Sequence, residues 1–201
     1  MKRMNGLVAI LAVVVATGCG VAQTVNSQSR PVTHRDKLKQ DTVIQGYPCM
    51  KRNVYLYADG KLSECWVSQE TQFGEALIPR GSIIGLKPDG SLWQANLAHN
   101  TRIHDVFCKG GGFLGPAEGA GTDFYASGKL WQCSLAKNQV VQGVPCRHND
   151  GPLGILYALW VKHQDYDLGI EFYRNGKLKS CQLSKDFGGQ KKNTLWKSAA
   201  K

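Results

Sequence analysis

Apolar and polar residues alternate with a period of two through most of residues 41–184. Such a period is typical of β-strands that bury one face. Four stretches show the same arrangement on both sides of a glycine turn, so the shared apolar face is predicted to be the core. We call it the cysteine face and the opposite one the outward face. The residues predicted for the cysteine face are Val54, Leu56, Cys65, Val67, Ile84, Leu86, Ala95, Leu97, Thr122, Phe124, Cys133, Leu135, Ile170, Phe172, Cys181 and Leu183.

The glycine turn stands at the same place in each stretch. A polar residue and a glycine, such as Asp59 and Gly60, predict a hairpin closed by a two-residue type I′ turn. This turn would pair Val54 with Cys65 and place Leu62 on the outward face.

Tryptophans stand on both predicted faces. The same register places Trp93 and Trp131 on the cysteine face, where they are interpreted as core residues. Trp66 would point outwards, and it is interpreted as the better exposed aromatic side chain.

The four stretches are copies of one internal repeat, and an upstream segment adds a third, shorter strand to each copy. Together they predict an all-β fold, an antiparallel meander built from four hairpin repeats and stapled by disulfides. The sheet is expected either to stay open and curved or to close into a barrel, since both hide the apolar face.

Six of the seven cysteines recur at two fixed positions of the repeat, whereas the second copy has Ile78 and Ala95 there. Joint loss of both cysteines predicts disulfides within copies, because loss of one partner would leave a free thiol. The predicted pairs are Cys49 with Cys65, Cys108 with Cys133, and Cys146 with Cys181. No pair has the Cys-x-x-Cys spacing that structural zinc sites favour, so neither a metal nor another cofactor is expected.

The seventh cysteine, Cys19, ends a segment with the layout of an export signal: a basic start, an apolar stretch and small residues. Small residues directly before a cysteine resemble a bacterial lipobox, which predicts a lipid anchor on Cys19 and an outer-membrane lipoprotein. Ordinary cleavage after Ala22 is the alternative, and it would give a secreted or periplasmic soluble protein. Exported thiols oxidise to disulfides on either route.

The chain is divided into a signal peptide at 1–19, a flexible tether at 20–40, the four-copy repeat domain at 41–184 and a basic tail at 185–201. The tail contains five lysines, which include Lys191 and Lys192, and it is expected to be frayed.

The charge balance indicates which partners are suitable. Removal of Lys2 and Arg3 with the signal leaves 23 of the 25 basic side chains against 15 acidic ones, a balance of +8. Long-range electrostatics then favours an envelope protein, an anionic polymer or lipid headgroups as partners. Nucleic acid is not expected as a partner of an exported chain.

Catalytic motifs are largely missing from the sequence. The histidines form no His-x-x-x-His pair, and no serine stands in a Gly-x-Ser-x-Gly elbow. The fourth copy, however, contains an apolar insertion that ends near Trp160, followed by a polar cluster of His163, Asp165 and Asp167. These four residues, together with Trp66, Lys191 and Lys192, are the candidate binding residues.

The turn motif recurs as an aromatic residue, any residue, Asp or Asn, Gly, Lys and Leu, at 57–62 and 173–178. This motif resembles the bacterial variant of MORN-type β-hairpin repeats. The resemblance implies a scaffold for protein or lipid contacts rather than an enzyme. The prediction is a noncatalytic exported envelope lipoprotein whose repeats bind a protein or an anionic surface polymer. The alternative is an envelope hydrolase with its site around His163 and Asp165.

Overall fold

The computed structural model of the chain describes residues 34–111, 121–148 and 169–199. Within these ranges the fold is all-β, with eighteen strands and no helix. In chain order the strands are β1 (His34–Lys37), β2 (Thr42–Ile44), β3 (Tyr47–Cys49), β4 (Asn53–Leu56), β5 (Leu62–Trp66), β6 (Thr71–Phe73), β7 (Ala76–Ile78), β8 (Ile83–Leu86), β9 (Leu92–Asn96), β10 (Thr101–Ile103), β11 (Val106–Cys108), β12 (Thr122–Phe124), β13 (Leu130–Cys133), β14 (Gln139–Val141), β15 (Val144–Cys146), β16 (Ile170–Phe172), β17 (Leu178–Gln182) and β18 (Leu195–Lys197).

Ten of the described strands form one antiparallel sheet in the order β1-β4-β5-β8-β9-β12-β13-β16-β17-β18. β1 and β18 are its two edges, so the sheet is open and the predicted meander is confirmed. The other eight described strands form four short hairpins, β2-β3, β6-β7, β10-β11 and β14-β15. Each short hairpin lies in the chain between two strands of the large sheet.

The core lies between the large sheet and the short hairpins, whose apolar side chains form one cluster. Fifteen of the sixteen residues predicted for the cysteine face are buried, and Leu56 is partly buried. The alternation of the sequence therefore identified the core face in all four copies.

Three disulfides tie three of the four short hairpins to the large sheet. They join Cys49 to Cys65, Cys108 to Cys133 and Cys146 to Cys181, the pairs expected within copies, and the paired Cα atoms are 5.7–5.9 Å apart. The disulfides close loops of 16, 25 and 35 residues, which stabilises the fold by roughly 3 to 4 kcal/mol each on the chain-entropy account.

The hairpins of the large sheet are β4-β5, β8-β9, β12-β13 and β16-β17, and we call them the large hairpins. Their turns differ from the prediction. The Tyr57 N–H donates to the Lys61 carbonyl (2.7 Å), and the Gly60 N–H donates back to the Tyr57 carbonyl (2.9 Å). Gly60 has φ +81°, whereas Asp59 is not among the residues with positive φ. The loop is therefore a three-residue one, a type I turn followed by a left-handed glycine. The predicted type I′ turn is wrong at this place because it requires positive φ at both central residues.

Each large hairpin also contains a β-bulge just after its turn. In the first copy Leu56 lies opposite Leu62 but Tyr55 lies opposite Glu64, so Ser63 is an extra residue on β5. The equivalent extra residues in the other copies are Trp93, Trp131 and Lys179. We call these four the bulge residues.

The bulges overturn the predictions for three residues made from strict alternation. Leu62, predicted to face outwards, is 1 % exposed, because the extra residue after it shifts its side chain onto the cysteine face. Trp131, predicted to be core, is 40 % exposed. Trp93 packs over Gly85, whose neighbours on β8 are both buried on the cysteine face, so this indole also lies on the outward face.

The large sheet extends past the predicted repeat domain at both ends. β1 lies within the predicted tether and pairs with β4, and β18 lies within the predicted basic tail and pairs with β17. Strand pairing uses backbone hydrogen bonds, so these polar segments can join the sheet without the apolar alternation that marks the other strands.

Candidate binding groove

The outward face of the large sheet has a basic groove beside its β1 edge, with a volume of about 400 Å³. Strand β1, the β3-β4 connection, and strands β4 and β5 all contribute to it. Its lining residues are Arg35, Lys37, Lys51, Arg52, Asn53 and Trp66.

Strand register explains why these side chains converge. Lys37 lies opposite Asn53, which precedes the buried Val54. Side chains alternate along a strand, so Lys37 and Asn53 point outwards, as does Trp66 after the buried Cys65. Arg35, the other cation of β1, stands two residues before Lys37 and therefore shares the outward face.

The connection between β3 and β4 is fixed by hydrogen bonds. The Met50 N–H donates to the Trp66 carbonyl (2.7 Å), and the Arg52 N–H donates to the Met50 carbonyl (2.6 Å). The Lys51 N–H donates to Asp41 Oδ1 (2.7 Å). As a result the Arg52 guanidinium lies 4.3 Å from the centre of the Trp66 ring, a cation–π contact that orients both groups.

The electrostatics of the groove is one-sided. Its described lining residues include four cationic side chains and no carboxylate. Guanidinium groups bind phosphate, sulfate or carboxylate through two hydrogen bonds, and the indole supplies an apolar surface beside them. The arrangement is suited to binding an anionic group that is attached to a larger molecule.

The structure separates the predicted binding residues that it describes. Trp66 lines the groove, whereas Lys191 and Lys192 lie in the β17-β18 connection, next to the opposite edge of the sheet. The Lys192 N–H donates to Asp186 Oδ1 (2.8 Å), and Lys191 Nζ lies 3.0 Å from Oδ2. Both contacts lower the pKa of Asp186, and the hydrogen bond from the Lys192 N–H has the larger effect.

Five predicted site residues lie outside the described residues: Cys19, Trp160, His163, Asp165 and Asp167. The lipid anchor and the polar cluster of the fourth copy therefore remain predictions.

The four cations of the groove were missed by the sequence reasoning. Arg35 and Lys37 were assigned to the tether because their segment lacks apolar residues. Their spacing nevertheless indicated a shared face, since two residues at alternate positions of a strand point to the same side of the sheet. Lys51 and Arg52 had no such indication, because their position depends on the turn after β3.

The fold and the groove define a class of protein: an exported, disulfide-stapled repeat sheet with a basic groove on its outward face. The three disulfides indicate the oxidising compartment. No protein-family model, curated protein or solved structure matches the chain.

Two further findings concern the described part of the chain. It has no helix that is long and apolar enough to cross a membrane. Within the same residues, no group of three His, Cys, Asp or Glu side chains is placed to hold a metal ion.

Proposed function

We propose that the chain is a noncatalytic lipoprotein of the bacterial cell envelope, anchored through Cys19, which binds an anionic surface polymer in the basic groove. The observation that carries this proposal is the convergence of four cationic side chains around Trp66. The resemblance to MORN-type repeats agrees with a scaffold, and the disulfides agree with export.

Binding in this groove would combine two interactions of different range. The four cations attract a polyanion from solution, and salt weakens this attraction. At contact, Arg35 and Arg52 can each hold an anionic oxygen pair, while Trp66 packs against the apolar part of a polymer unit. The groove is open to solvent, so an extended polymer can cross it without being threaded.

The test compares two variants that lose the same charge at different places. Arg35→Gln with Lys37→Gln changes the groove, and Lys191→Gln with Lys192→Gln changes the far edge of the sheet. Dextran sulfate is the probe, neutral dextran is its control, and calorimetry at low salt measures affinity. We expect the groove variant to lose roughly tenfold or more, since each cation near the ligand contributes about 1 kcal/mol. The far-edge variant should lose less than about twofold, because its lysines lie outside the groove.

Equal losses in the two variants would contradict the proposal, since they would indicate attraction by net charge alone. So would a failure of the unaltered chain to bind dextran sulfate. The hydrolase alternative depends on His163 and Asp165, which lie outside the described residues, and the groove gives it no support.

A further inference from the structure

A second group of polar and aromatic side chains lies on the outward face, in the middle of the large sheet. Strand register places one residue from each of the eight inner strands of the large sheet, β4, β5, β8, β9, β12, β13, β16 and β17, in a single row across this face. The row consists of Tyr55, Glu64, Gly85, Gln94, Asp123, Gln132, Glu171 and Ser180. Asp123 stands between two glutamines, on the strand between β9 and β13.

Two indole rings flank the segment of the row formed by Gln94, Asp123 and Gln132. Trp93 packs over Gly85 of the preceding strand, where an added Cβ would lie 2.8 Å from its Nε1. Trp131 Nε1 donates to Glu171 Oε1 of the following strand (3.2 Å), and the Trp131 ring centre lies 6.2 Å from that of Tyr125. The two indoles thus contact opposite neighbours, and the amide–carboxylate–amide row runs between them.

The environment of Asp123 is unusual for a carboxylate. The residue is 9 % exposed, and Gln132 Nε2 donates to its Oδ2 (2.5 Å). Its Oδ1 is shielded from water and has no donor at hydrogen-bond geometry among the described residues, although the Gln94 amide lies near enough to lower the pKa of the carboxyl. Buried polar atoms are nearly always paired, so this carboxylate oxygen is an exception that needs an explanation.

The charges of this patch distinguish it from the basic groove. Glu171 is paired with Lys179 (Oε1 to Nζ 2.6 Å), whereas the Asp123 carboxylate is bound by the Gln132 amide and contacts no cation among the described residues. The Asp123 carboxylate, when ionised, would repel an anionic group placed beside it. An uncharged ligand that brings hydroxyl donors and an apolar face is the better match.

We propose that this patch binds an uncharged oligosaccharide of at least two sugar units. One sugar ring lies against Trp131, and hydroxyls of the two units are hydrogen-bonded by Asp123 and the flanking Gln94 and Gln132. A pyranose ring has a C–H face that packs on an aromatic ring, and its hydroxyls both donate and accept. The glutamine amides also donate and accept hydrogen bonds, and the Asp123 carboxylate accepts them. β9 and β13 are two strand spacings apart, about 9.5 Å, which is about the length of a disaccharide.

The test uses the full chain with its disulfides formed. Cellotetraose and chitotetraose are the uncharged probes, and saturation-transfer NMR and tryptophan fluorescence titration are the measurements. We expect saturation transfer to at least one probe, with quenching of the fluorescence. Trp131→Ala should weaken binding by about tenfold or more through loss of ring contact, and Trp131→Phe should restore part of the affinity.

Two further variants separate the patch from its surroundings. Asp123→Asn removes the charged acceptor; we expect it to melt no lower than the parent chain at pH 7 but to lose about tenfold in affinity, as for a hydrogen bond to a charged group. Trp66→Ala changes the basic groove and should leave saccharide affinity within about twofold, because the groove is on other strands.

Three results would overturn the inference: no saturation transfer to either probe, unchanged affinity of Trp131→Ala, or an equal loss in Trp66→Ala. The proposal for the basic groove is unaffected by any of them, because it is measured with dextran sulfate.

Discussion

Asp123 is a carboxylate kept in a place that disfavours its charge. Burial raises the pKa of the Asp123 carboxyl, and the amides of Gln132 and Gln94 partly offset the rise. A buried oxygen without a donor costs about 1 to 3 kcal/mol of stability. Residues that lower stability in this way are expected at functional sites, where binding compensates for them.

The raised pKa predicts how stability depends on pH. Below the unfolded pKa, near 3.9, Asp123 is protonated in both states and its favourable contribution is complete. As pH rises through the folded pKa, the buried group must ionise and that contribution is lost. We expect the melting temperature of Asp123→Asn, relative to the parent chain, to increase as pH rises from about 4. Thermal melts monitored by circular dichroism across pH 3 to 8 measure this difference.

Asp59→Asn is the matched control for this experiment. The Lys61 N–H is the main cause of the lowered pKa of Asp59, so its contribution is present above the unfolded pKa and is lost as pH falls. The two variants should therefore differ in the sign of their pH dependence. Parallel curves would show that Asp123 is not a buried ionised group.

Among the elements, the β6-β7 hairpin is attached differently from the other short hairpins. It lacks the disulfide, because Ile78 and Ala95 occupy the cysteine positions. It also lacks two backbone hydrogen bonds. Pro79 stands where Met50 of the first copy donates to Trp66, and the Ala98 N–H donates to Ser82 Oγ where the equivalent Ser68 N–H of the first copy donates to the Pro48 carbonyl. Apolar contacts hold it instead, including Phe73 stacked on Tyr47 with ring centres 5.4 Å apart.

This difference predicts that β6-β7 opens first. Amide hydrogen exchange in β6-β7 should be faster than in β2-β3 and β14-β15 by roughly a hundredfold, since a disulfide stabilises by about 3 kcal/mol. Exchange followed by mass spectrometry of the peptides tests it, with the other hairpins as internal controls. Equal protection of all four hairpins would contradict the prediction.

The elements also show what the sequence could and could not predict. Alternation identified the cysteine face, because each repeat strand of the large sheet, from β4 to β17, buries one face. It failed at Leu62, Trp93 and Trp131, because a bulge changes the phase of alternation. The position of a bulge depends on backbone geometry rather than on residue type. Alternation also missed β1, whose pairing with β4 requires no apolar side chain.

On the scale of the whole molecule, both proposed sites lie on the outward face of the sheet. The short hairpins cover the cysteine face, so that face is not available to a ligand. The basic groove lies on β1, β4 and β5, and the saccharide patch on β9, β12 and β13. The charge balance of +8 predicted an anionic partner, but the position of the groove depended on β1, which the sequence had left in the tether.

The position of the lipid is a prediction for the whole chain. The mature protein should begin at Cys19 with a diacylglyceryl group, because small residues precede this cysteine and the other six are paired. Mass spectrometry of the N-terminal peptide measures it, and Cys19→Ala is the control that should abolish lipid labelling. A mature chain that begins at Gln23 would contradict the prediction.

The bulge residues give this architecture an unusual freedom to vary. Ser63, Trp93, Trp131 and Lys179 occupy one equivalent position, and none of them enters the core. Substitution there changes the surface that a ligand meets without repacking the interior or altering a turn or a disulfide. Evolution, or an engineer, can therefore diversify specificity one copy at a time on a constant framework, and the difference between serine, tryptophan and lysine at this position shows how wide that range already is in a single chain.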